Sequence, residues 1–214
     1  DLPMGDKDEA LRMIRETFAR IAGDGKLPLM LGGEHLVTLG AIEAMAAQYP
    51  DLHIVHLDAH TDLREDYLGV ERSHATVMRR IWDIVGDGRI YQLGIRSGTR
   101  EEFSFAREGH TTLFPFCVNH FQAVRDAIGD QPVFLTVDLD VLDPSVFPGT
   151  GTPEPGGCDF VSVMQFLTEA AGLNLVGADL VELAPHYDAS GVSTAVALKL
   201  LRELVIAYQK HHLA

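Results

Sequence analysis

Asp58-Ala59-His60-Thr61-Asp62 sets two carboxylates and an imidazole directly after the apolar run Leu52–Leu57. Residues two apart on an extended backbone face the same way, so Asp58, His60 and Asp62 converge if the extended form persists. Asp138-Leu139-Asp140 repeats the arrangement after the apolar run Val133–Val137. Gly32-Gly33-Glu34-His35 follows Leu27–Leu31, and Glu182 ends the run that starts at Leu175. Carboxylates gathered in one pocket repel one another, and divalent cations remove that penalty. Carboxylate and imidazole donors without thiolate suit Mn²⁺ or a similar borderline-hard ion better than structural Zn²⁺. His35, Asp58, His60, Asp62, Asp138 and Asp140 are more ligands than one ion can take while keeping a water. They suit two ions about 3.5 Å apart, and hydrolysis is the chemistry such a pair performs best.

Taken singly, these residues have plainer readings. His35 after two glycines suits a turn or a helix start, and Asp62 or Asp140 alone suits a cap or a turn. Asp143-Pro144 reads as a turn, which keeps Asp143 out of the ligand set. His53 and His56 lie inside a strand and read as packing residues. His110, His120, His186, His211 and His212 lack carboxylate neighbours at useful spacing. It is the joint occurrence of the candidates at strand ends that points to a site.

The elements that must position them alternate along the chain. Helices are expected over Asp6–Ala22, Leu36–Gln48, Thr76–Val85, Arg100–Glu108, Phe121–Ile128, Phe160–Ala171 and Ser193–Gln209, the first with Leu11, Ile14, Phe18 and Ile21 on one face. Strands are expected over Leu27–Leu31, Leu52–Leu57, Arg89–Ile95, Thr111–Phe114, Val133–Val137 and Leu175–Leu183. Apolar strands separated by helix-length segments indicate βαβ units and a parallel sheet covered on both faces. In such sheets ligands bind outside the carboxyl ends of the strands, where the polar clusters fall. The longest irregular segments, Asp58–Ser73 and Asp140–Gly157, both begin at a carboxylate cluster, and long loops in a compact domain are usually functional.

Composition narrows the partners. The chain has 214 residues, enough for one well-buried domain. Its net charge of −14 disfavours nucleic acid, whose phosphates require clustered Lys and Arg. No signal-peptide pattern or membrane-length apolar run is found. Cys117 and Cys158 lie outside any zinc-type spacing, and the expectation is a cytoplasmic protein with reduced thiols. The sequence opens at Asp1 without Met, which points to a trimmed or incomplete N-terminus.

The segments Gly32–His35, Asp58–Asp62 and Val137–Pro144, followed by Pro148-Gly149-Thr150-Gly151-Thr152-Pro153-Glu154-Pro155-Gly156-Gly157, together resemble the ureohydrolase family of arginases and agmatinases. The resemblance runs from about Lys26 to the C-terminus. It implies a three-layer α/β/α domain with a mostly parallel sheet, two Mn²⁺ per chain, and hydrolysis of a guanidino compound to urea and an amine. Residues 1–214 would form a single domain lacking the family's N-terminal segment. One manganese would be held by His35, Asp58, Asp62 and Asp138, and the other by Asp58, His60, Asp138 and Asp140. His74, in Ser73-His74-Ala75, resembles the family's proton-shuttle histidine, and Glu182 the carboxylate that pairs with the guanidinium. Paired cations lower the pKa of water enough to supply a nucleophile at neutral pH. A histidine near its natural pKa can protonate the leaving amine.

The loop Leu63–Arg72 lacks the arginase pattern, and Asp58–Arg64 leading to Ser73-His74 resembles bacterial agmatinases instead. Agmatine is therefore the expected substrate, with Glu65, Asp66 or Glu71 able to attract its far ammonium. Guanidinobutyrate, arginine or formiminoglutamate would be alternatives within the class. A non-catalytic member serving as a metal-dependent binding subunit is the alternative outside it. The resemblance also implies a homotrimer or homohexamer.

Overall fold

Alternate residues of each central strand enter opposite cores. Val55 and Leu57 point into one apolar cluster and Ile54 into another, while Leu135 and Phe134 divide in the same way. Such a strand is buried on both faces, which requires helices above and below the sheet. The computed structural model describes residues 2–3 and 5–212. Among these, the strands are β1 (Leu29–Leu31), β2 (His53–Leu57), β3 (Ile90–Ile95), β4 (Thr112–Pro115), β5 (Val133–Asp138) and β6 (Leu175–Val181). They form one sheet in the order β1-β6-β5-β2-β3-β4, and every pairing is parallel.

The helices are α1 (Lys7–Gly23), α2 (Val37–Gln48), α3 (Val77–Val85), α4 (Arg100–Arg107), α5 (Phe121–Ile128), α6 (Phe160–Ala170) and α7 (Val192–His212). Leu11, Ile14 and Phe18 of α1 pack with Ile42 and Met45 of α2 and with Met78 and Ile81 of α3 on one face of the sheet. Val124 of α5, Phe166 and Leu167 of α6, and Leu200 and Leu204 of α7 cover the other. The architecture is the expected three-layer α/β/α, with a wholly parallel sheet among the described residues. Element bounds shift only at the ends. β1 starts at Leu29 because Pro28 cannot donate to a ladder, and α7 continues past Gln209 to His212.

The chain leaves β1, passes over β6 and β5 to form β2, and builds outward to β4 before returning. This reversal opens a crevice at the carboxyl ends of β1, β6, β5 and β2. Register aligns those ends: Leu57 pairs with Val137, and Asp138 pairs with Val181. Gly32 allows the turn after β1 to lie against β6, because a Cβ there would stand 2.8 Å from Val37 and 2.9 Å from Val181. No helix among the described residues is long and apolar enough to cross a membrane.

Candidate metal centre and substrate cleft

β2 ends at Leu57, and the regular strand does not continue beyond it. Asp58 follows directly, His60 makes an isolated bridge to Ser97, and Asp62 adopts a left-handed backbone with φ 52°. After β5 the chain tightens into a 3₁₀ turn, Leu139–Val141, whose first N–H groups fold back so that Asp140 N donates to Asp138 Oδ1 at 2.9 Å. The regular strands therefore stop at Leu57 and at Asp138, followed by an isolated bridge at His60 and by the 3₁₀ turn at Leu139–Val141. The side chains nevertheless come together, because a left-handed residue and a 3₁₀ turn each redirect a carboxylate inward. Glu182 lies one residue beyond β6, also left-handed at φ 63°. A non-glycine residue in this conformation costs about 1–3 kcal/mol, comparable to the burial of one large apolar side chain.

Two groups of donors result. His35 Nδ1 lies 3.1 Å from Asp58 Oδ2 and 3.3 Å from Oδ2 of both Asp62 and Asp138. His60 Nδ1 lies 3.0 Å from Asp140 Oδ2 and 3.3 Å from Asp58 Oδ1. Asp58 thus gives one oxygen to each group. Asp138 stands in the first group, with its other oxygen taken by Asp140 N. Asp140 Oδ1 accepts the Ala59 N–H at 3.0 Å, which ties the β5 turn to the β2 turn.

His74, at the start of a 3₁₀ turn, places Nδ1 3.3 Å from Glu34 Oε1 and its ring edge-on to Tyr67. Glu182 Oε1 accepts the His35 N–H at 2.8 Å. A cleft of about 390 Å³ is lined by His35, His60, Asp62, His74, Asp138 and Glu182, together with Arg64, Tyr67, Ser97, Thr152 and Glu154. Every candidate metal ligand, His74 and Glu182 lie in this cleft or immediately beneath it, whereas Glu65, Asp66 and Glu71 do not line it. Asp143 is engaged elsewhere, accepting from Gly156 N and Gly157 N.

Electrostatics at the cluster are strained. Burial opposes charge on His35, but the carboxylates of Asp138, Asp58 and Asp62 outweigh it and hold its pKa well above the ordinary imidazole range. The same balance, with Asp140 and Asp58, pushes His60 up to about 12. Burial would raise Asp58, yet contacts with His56, His35 and His60 hold it well below the usual carboxylate range. Burial and the adjacent Asp58 charge push Asp62 up to about 7, and burial with the Asp140 and Asp58 charges raises Asp138 well above normal.

Among the described residues, no Lys or Arg pairs with these aspartates, and the buried His35 Nδ1 makes no hydrogen bond. An orphaned imidazole nitrogen facing repelling carboxylates is the environment a cation completes. Potential ligand atoms also cluster tightly within His35-His56-Asp58 and Asp58-His60-Asp140. The donor set is oxygen and imidazole nitrogen, which fits divalent manganese.

Sequence reasoning passed over several residues that support the centre. His56, read as packing, is wholly buried with Nε2 2.8 Å from Asp58 Oδ2. It occupies the same alternating series as Asp58 and His60, a signal that was available. Glu34, beside His74, and Thr136, whose hydroxyl lies 3.0 Å from His35 Nε2, are brought in by separate elements and left no local signature.

Known proteins resemble this chain in sequence and in fold. The sequence profile of the Arginase family matches residues 1–207. An agmatinase from Bacillus anthracis is 44% identical over 212 residues, covering 98% of this chain and 73% of that protein. A guanidinobutyrase from Pseudomonas aeruginosa is 36% identical, covering 92% of this chain and 65% of that protein. The crystal structure of the agmatine ureohydrolase of Thermoplasma volcanium superposes with a TM-score of 0.88 at 33% identity, covering 97% of this chain and 71% of that one. By sequence and by fold, the chain belongs to the arginase family, as an agmatinase-like member of it.

Proposed function

We propose that this chain is an agmatinase that hydrolyses agmatine to urea and putrescine, with two Mn²⁺ held by the paired donor groups. The observation that carries the reading is one cleft lined by Glu182 and His74 together with His35 and His60 of the two donor groups. Identity of 44% to the Bacillus anthracis agmatinase supports the choice of substrate. His35, Asp58, Asp62 and Asp138 would hold one ion, and Asp58, His60, Asp138 and Asp140 the other. When bound, such a pair supplies a nucleophile from water at neutral pH and polarises the guanidinium.

The protein's own groups do the rest. Glu182, fixed by the His35 N–H, accepts N–H bonds from the planar guanidinium and presents its carbon toward the cluster. His74 donates a proton to the alkyl nitrogen as the C–N bond breaks, so that the amine leaves neutral. The same reading sets the enzyme in the cytoplasm as a homotrimer or homohexamer, with Cys117 and Cys158 remaining free thiols.

A guanidino acid is the second reading, favoured by Arg64 on the cleft wall. Arg64 is partly committed, with Nε 3.6 Å from Glu102 and its guanidinium 5.1 Å from the Tyr67 ring centre. Urea release by the full-length, manganese-loaded protein, measured in parallel with agmatine, 4-guanidinobutyrate and arginine, tests both readings. Agmatine should be preferred. Preference for 4-guanidinobutyrate would replace the substrate, and no urea from any of the three would overturn the hydrolase reading.

A further inference from the structure

Agmatine carries a second charge, a primary ammonium at the end of its alkyl chain, and a selective cleft must recognise it. Of the loop carboxylates expected to attract it, Glu71 does not line the cleft and the other two are engaged elsewhere. Glu65 is 77% exposed and lies 3.2 Å from Arg79, and Asp66 accepts the Gly69 N–H at 2.9 Å. Both line a separate groove along α4. Within the cleft, Glu102 is 4% exposed and held by the Thr61 hydroxyl and the Leu63 N–H, and Glu182 is held by the His35 N–H.

Glu154 remains. It is half-buried on the cleft wall, its Oε1 accepts only the Ser97 hydroxyl at 3.2 Å, and no Lys or Arg pairs with it among the described residues. Its backbone is held by Arg96, whose Nε and terminal nitrogen donate to the Glu154 carbonyl at 3.1 and 2.8 Å. The same guanidinium donates to the carbonyls of Asp140 at 2.7 Å and Gly94 at 3.1 Å. A loop clamped to the β5 turn and the end of β3 presents its carboxylate at a fixed place, so little ordering is required on binding.

We propose that Glu154 is a specificity-determining residue whose carboxylate receives the distal ammonium of the substrate and repels acid-tipped guanidino compounds. The assignment rests on the agmatinase reading and deepens it. A charged hydrogen bond of this kind accounts for about ten- to hundred-fold in selectivity. An anion at the same point acts against a carboxylate-tipped competitor, so attraction and repulsion select together.

The test compares full-length, manganese-loaded wild type with Glu154→Gln on agmatine and on 1-butylguanidine, which lacks the ammonium. The ratio of kcat/KM for agmatine over 1-butylguanidine should fall about ten- to hundred-fold, mainly through KM for agmatine. The inhibition constant of putrescine should rise in parallel, while manganese content stays at the wild-type level. Glu154→Arg should move the preference further, toward 4-guanidinobutyrate. A ratio within about twofold of wild type, whether both substrates are retained or both are lost, overturns the role of Glu154 and leaves the agmatinase reading standing. Wild type that releases urea from 4-guanidinobutyrate but not from agmatine overturns both.

Discussion

His56 donates its Nε2 proton to Asp58. The two groups are 2.8 Å apart and wholly buried. The tautomer follows from the neighbours: the Gln92 amide nitrogen lies 3.1 Å from His56 Nδ1 and 2.7 Å from the Thr61 carbonyl, while Gln92 Oε1 accepts the Thr111 hydroxyl. Gln92 is thereby oriented as a donor to Nδ1, which leaves the ring proton on Nε2. Burial holds the His56 pKa below normal and favours the neutral ring. A neutral donor fixes the Asp58 carboxylate between His35 and His60 without neutralising it.

Removal of this support should weaken the metal centre while leaving the sheet intact. His56→Ala is expected to lower manganese affinity about 10–100-fold, the usual effect of losing a residue that orients a ligand. Metal titration followed by elemental analysis checks it. Wild-type affinity in the variant would show that Asp58 needs no such support.

With His74 as the proposed proton donor, His74 and Glu34 should set the alkaline limit of activity. The Glu34 carboxylate, 3.3 Å away, is the largest influence on His74 and raises its pKa, with partial burial opposing it. In that proposed role the acid form would donate the proton, so a raised pKa should extend activity to higher pH. Glu34→Gln removes the anion and should move the alkaline limb of the kcat profile to lower pH. His74→Ala should lower kcat about 10²–10⁴-fold. An alkaline limb unmoved in Glu34→Gln would separate His74 from the proton transfer.

Metal removal should make folding stability fall as pH rises. In the metal-free protein Asp62 titrates near pH 7, above its unfolded value of about 3.9, so it favours folding at low pH and loses that contribution between about pH 4 and 7. His60, raised to about 12, favours folding fully below its unfolded pKa and loses that contribution as pH rises toward 12. Both act in one direction between about pH 6 and 8, and the depressed Asp58 acts only at lower pH. The Tm of chelator-treated protein should therefore decline over that interval, and added Mn²⁺ should restore more at pH 8 than at pH 6. A Tm of stripped protein that is flat or rising would contradict the strained cluster. Differential scanning calorimetry at fixed ionic strength makes the measurement.

Much of this molecule is legible in one dimension. Apolar runs such as Leu52–Leu57 and Val133–Val137 must be buried on both faces, so the βαβ alternation and the parallel sheet follow from burial and chain connectivity alone. Donor types are likewise local, since Asp58, His60, Asp138 and Asp140 stand at or just beyond strand ends that must share one edge. What the linear order left open depends on contacts between distant segments. The left-handed backbone at Asp62 and Glu182, and the 3₁₀ turn that carries Asp140, replace extended geometry because packing against neighbouring strands over-determines them. His56 became a supporting residue only when Gln92 of β3 was placed beside it, and Glu154 was set facing the cleft only through Arg96. Sequence by itself determined the sheet and the donor chemistry, because both rest on local periodicity and residue type. Tertiary structure decided which oxygen faces which nitrogen, because hydrogen bonds between remote segments orient side chains that local pattern merely brings near.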